Sequence, residues 1–172
     1  MSTTFRRSPI VLFSLLILSA LQSVVAAQDA PAILAAKDLT RVVPTSFYFQ
    51  GQSGPTQMRN AAAARIGASR LVIAGLVDTT GYASDVRSRY EGFFITDSPV
   101  SVGGQSLAVG AYGFGFSSDG KLSILDISGK ELLTVATQND KGMKGPRPLM
   151  MTKAADGVRL YSGRNYVVIS AQ

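Results

Sequence analysis

Between Ser118 and Asn165 the chain is cut into short apolar runs by turn signals of one chemistry. Ser118-Asp119-Gly120, Ser128-Gly129-Lys130, Ala155-Asp156-Gly157 and Ser162-Gly163-Arg164-Asn165 each set a glycine beside a short polar side chain. Glycine reaches positive φ without steric cost, and Asp or Ser bonds its own backbone, so these are hairpin connections. The runs between them are short and rich in β-branched and aromatic residues. Residues 105–116, 121–127 and 131–137 are therefore expected as one antiparallel meander. Residues 148–153, 158–161 and 166–170 are expected as a second.

Upstream, residues 47–50, 71–78 and 90–96 read as further strands. Residues 57–66 carry two opposed signals. The alanines at 61–64 favour helix by propensity, whereas Arg59 and Arg65 on one face and Met58 and Ile66 on the other favour strand. We take the strand, with Gly67-Ala68-Ser69 as its turn. A short helix is expected over residues 30–39, where Ile33, Leu34 and Lys37 share helical spacing and Pro31 suits a first turn. No strand–helix–strand rhythm appears. The expected fold is all-β: one antiparallel barrel or sandwich of roughly eight to nine short strands, with a short N-terminal helix.

The N-terminus has a different grammar. Arg6 and Arg7 precede an apolar stretch over residues 10–21, and Val25-Ala26-Ala27 closes it with small residues. That is the pattern of a secretory signal peptide, with cleavage expected after Ala27. An uncleaved anchor is the alternative, but Gln22 and Ser23 interrupt the apolar run. The expected organisation is then a signal peptide at 1–27, a short helix and connector at 28–44, and a single β domain at 45–172. Localisation is expected to be periplasmic or extracellular, with no transmembrane helix once the leader is removed.

Composition excludes several chemistries. The 172 residues contain no cysteine and no histidine. Disulfides, thiol nucleophiles and a Ser-His-Asp arrangement are all ruled out, so stability must come from packing. Without Arg6 and Arg7 the chain has 15 basic and 11 acidic side chains, a mild net charge of +4. The basic residues are dispersed, so no nucleic-acid partner is expected.

Four segments stand out. The first is Gly110-Ala111-Tyr112-Gly113-Phe114-Gly115-Phe116, which puts three aromatics on one strand face and leaves the other nearly bare. The plainer explanation is a bent core strand whose glycines admit a crossing element. The second runs from an aromatic strand into a loop at residues 50–57, where Gln50 and Gln52 can hydrogen-bond a ligand. The third, residues 78–85, is the longest polar connection and supplies Asp78, Thr79, Thr80, Tyr82 and Asp85. It lacks the alternating carboxylates of a calcium loop, so no metal is expected. The fourth, residues 137–148, offers Lys141, Lys144 and Arg147 as contacts to an anionic surface.

The expected function is an exported, non-catalytic binding or interaction domain of the cell envelope. Its partner would be an envelope protein, a glycan or a small apolar ligand, and no cofactor is expected. A structural surface or matrix protein is the alternative. A carboxylate-based hydrolase comes third, because only Glu91 and Glu131 are glutamates and most aspartates sit in turns.

Overall fold

The computed structural model describes Met1 and residues 30–67 and 70–172; the expected signal peptide lies outside the described residues. In chain order the elements begin with β1 (Ala32–Ile33), α1 (Ala36–Val42), β2 (Ser46–Phe49), β3 (Gln52–Ile66), β4 (Arg70–Val77), α2 (Ser84–Arg87) and β5 (Gly92–Thr96). They continue with β6 (Val100–Val102), β7 (Gln105–Leu107), β8 (Gly110–Ser117), β9 (Lys121–Leu125) and β10 (Glu131–Ala136). The chain ends with β11 (Gln138–Asn139), β12 (Arg147–Lys153), β13 (Gly157–Gly163) and β14 (Asn165–Ala171).

The fold is all-β and antiparallel, with two packed sheets. The first has the order β1-β3-β4-β5-β8-β9-β10, with β2 on β3; the second has the order β12-β13-β14-β6-β7, with β11 on β14. Both expected meanders are present, as β8-β9-β10 and β12-β13-β14. There are more strands than the expected eight or nine. Short pieces such as β1, β6 and β11 carry too few residues for a periodicity to show.

Residues 105–116 are a correction. They form two strands in different sheets, not one. Leu107 ends β7 and faces the core, exposed Val109 crosses between sheets, and Gly110 starts β8. The Tyr112 hydroxyl braces the crossing by donating to the Ala108 carbonyl at 3.0 Å. The shift of apolar parity at Gly110 is this change of sheet. The helix is also displaced. Residues 32–33 pair with the end of β3, so Ile33 joins a ladder, and the helix starts at Ala36. The ambiguous residues 57–66 are strand, as taken.

The first sheet is buried on both faces. Val72, Ala74, Phe94, Tyr112, Phe114, Leu122 and Ile124 pack against Leu149, Met151, Val158, Leu160, Val167 and Ile169 of the second sheet. On the other face Ile73, Val77, Phe93 and Leu125 pack beneath Val43, Phe47, Phe49, Tyr82, Val86 and Tyr90. This explains why β4 and β5 read as unbroken apolar runs and not as an alternation. The outer layer is thus β2, the α1 region and the 78–91 segment laid over a sheet that already has a core behind it.

Candidate functional site

The residues of the outer layer are held by aromatic stacking onto a strip of glycine. Phe49 and Tyr90 stack with centroids 3.9 Å apart, and Tyr82 meets Tyr90 edge-on at 5.3 Å. Below them, a Cβ on Gly113 would stand 2.5 Å from the Phe49 ring, and one on Gly115 would strike the Arg89 carbonyl. The bare face of β8 is therefore filled by a crossing element of the chain itself, and Phe114 on the opposite face is wholly buried between the sheets.

The same packing draws the two candidate polar segments together. The Tyr82 hydroxyl donates to the Gln52 carbonyl at 3.2 Å, and the Asp78 amide donates to the Pro55 carbonyl at 2.9 Å. The Gln57 side-chain amide donates to the Val77 carbonyl at 3.2 Å. The expected loop at 50–57 is itself corrected. Only Gln50 and Gly51 turn, and residues 52–57 belong to β3. Both turn residues have positive φ, 45° and 81°, as a tight two-residue hairpin requires.

Each expected contact residue now has a place. Gln50 points away from the other candidates and donates to the Ser128 carbonyl at 2.8 Å. Gln52 is exposed on β3, and Tyr82 is buried with its hydroxyl already used. The Asp78 carboxylate accepts the Thr80 amide at 3.0 Å, a bond that holds its pKa below the ordinary value. Thr80 and Asp85 are exposed, the latter in α2. Of the seven, Thr79 lines a cleft with other polar side chains.

That cleft has a volume of about 370 Å³. Gln57, Thr79, Arg87, Glu91 and Ser162 line it, with Tyr90 and Pro148 among its apolar members. Glu91 is the one carboxylate among these lining residues. Burial pushes its carboxyl above the ordinary value, opposed by the hydrogen bond it accepts from the Phe116 amide at 3.1 Å. Arg87 and Glu91 were missed as contacts because they flank the polar segment, outside its most polar stretch. Ser162 was read only as a hairpin former. Its approach depends on how the second sheet docks, which no local pattern encodes.

Lys141, Lys144 and Arg147 are all exposed. Arg147 lies in β12 opposite Gly163, next to exposed Arg164. The connecting segment is tied down through Asp140, which accepts the Tyr161 hydroxyl at 3.2 Å and the Gly142 amide at 3.1 Å. Among the described residues no cluster of three or more acidic side chains is placed to hold a metal ion, and no helix is long and apolar enough to cross a membrane. Compared with family models, curated proteins and solved structures, the chain matches none of them.

Proposed function

We propose that this chain is an exported, non-catalytic binding domain of the cell envelope, and that its ligand site is the cleft between the 78–91 segment and the seam of the two sheets. The observation that carries this reading is the convergence of Gln57, Thr79, Arg87, Glu91 and Ser162 on one depression of ligand size. Amides, hydroxyls and a single opposite-charge couple suit a hydroxyl-rich partner, so the ligand class is a glycan segment. One carboxylate gives no acid/base pair across a cleft, which favours binding over hydrolysis.

The test is a titration of the isotopically labelled protein with soluble envelope oligosaccharides, followed by amide shifts. Saturable shifts at Thr79, Arg87, Glu91 and Ser162 are expected. Arg87→Ala should weaken binding about tenfold, the loss of a hydrogen bond to a charged group. Shifts confined to other surfaces would end the assignment. Export is tested separately: the secreted protein should begin at Gln28, and a start at Met1 would mean a tethered chain.

A further inference from the structure

The strands β3 and β12 lie against each other, and both of their ladders are irregular. The β3–β4 register slips between Thr56 and Ala61, and the β12–β13 register slips between Arg147 and Met150. Beside this seam, against the start of α1, runs a groove of about 220 Å³. Leu34, Leu39, Leu149, Met150 and Met151 give it apolar walls, and Arg59 and Arg147 line it too. Both arginines are exposed, and neither forms an ion pair among the described residues. Exposed Lys144 and Arg164 extend the positive charge beyond Arg147.

We propose that this groove takes one acyl chain of an anionic amphiphile, whose head group is held by Arg59 and Arg147. Size narrows the occupant first. The volume falls below the roughly 300 Å³ at which ordinary small-molecule pockets begin, so a slender chain fits better than a ring system. The lining suits a mobile hydrocarbon: methionine adapts its shape, and arginine stems extend an apolar wall while their guanidinium groups stay in water. Those forks bind phosphate or carboxylate in pairs of parallel hydrogen bonds. The chain's own apolar run at residues 10–21 is a poorer match, because Arg6 and Arg7 lead it and would meet like charge. The groove shares β3 and β12 with the polar cleft, since Gln57 and Pro148 line one and Arg59, Arg147 and Leu149 the other. The proposal nevertheless rests on the groove's own residues and does not need the glycan assignment.

The experiment uses protein expressed from the full chain with labelled methionine methyl groups, titrated with decyl phosphate below its micelle concentration. Saturable shifts at Met150 and Met151 are expected, with affinity at least tenfold above that for decyltrimethylammonium. The double variant Arg59→Gln/Arg147→Gln should erase that preference and keep the fold, since both side chains are exposed. Ala36→Trp should fill the groove and abolish the shifts with both amphiphiles, with the far-ultraviolet spectrum unchanged. Equal response to the cationic amphiphile, or a preference that survives the double variant, overturns the proposal. So do shifts that appear only with micelles, or contacts from residues 10–21 to these methyl groups in the lipid-free protein.

Discussion

The two faces of the first sheet are both buried, but by different means. The inner face, with Phe94, Tyr112 and Phe114 among its aliphatic residues, meets the aliphatic side chains of a second sheet, as Val72, Ala74 and Ile124 do with Leu160, Val167 and Ile169. The outer face meets single crossing segments through stacked rings, and it admits them only because Gly113 and Gly115 have no side chain. An aliphatic core tolerates exchange of similar volumes, whereas a ring laid on bare backbone leaves nothing to give way. The inner face holds the fold together, and the outer face positions the cleft.

The sharpest test pairs Phe114→Ala with Phe49→Ala. Each should lower stability by about 3–5 kcal/mol in urea melts, as buried phenylalanine truncations do. If Phe49→Ala instead leaves the midpoint unchanged and only strips amide protection from residues 78–91, the outer layer is a separate unfolding unit. Gly115→Ala comes next, at about 3 kcal/mol, because the new methyl meets the Arg89 backbone and not a yielding side chain. A null result there would mean that the crossing segment rides loosely on β8.

Smaller effects separate the tyrosines. Tyr112→Phe should cost about 1 kcal/mol by removing the bond to the Ala108 carbonyl. The Tyr90 hydroxyl is buried, points toward Tyr82 and has no partner of hydrogen-bonding geometry among the described residues. Tyr90→Phe should therefore be neutral or stabilise by up to about 1 kcal/mol. A loss equal to that of Tyr112→Phe would show the two hydroxyls to be alike.

The smallest effect is in pH. Burial raises the Glu91 carboxyl in the folded state, so the folded chain holds that proton more tightly than the unfolded chain. The stability it contributes is complete below the unfolded carboxyl's value and is lost as pH rises through the folded one. Glu91→Gln removes the charge and keeps an oxygen for the Phe116 amide. It should melt slightly above the parent at neutral pH and together with it near about pH 4. Paired thermal melts across that range check both ends.

The architecture was legible because turn chemistry is local. Gly120, Gly129 and Gly163 all take positive φ at the hairpins their neighbours announce. The crossing at Ala108–Val109 was visible only as a change of parity, since one residue out of step reads alike for a bulge and a change of sheet. The candidate site was legible in part. Residues 78–85 and β3 meet, but Tyr82 and Gln50 spend their polar groups on the fold itself. Arg87, Glu91 and Ser162 became partners only through docking across long sequence separations.

Gln50 has one more consequence, in time. Its side chain reaches Ser128, 78 residues away, and occupies the space where any side chain at position 129 would stand. The tip of the first hairpin is thus latched by the tip of a much later one. Closing so long a loop costs entropy before the bond returns anything, and such non-local contacts slow folding. This latch can close only once both hairpins, β2–β3 and β9–β10, have formed.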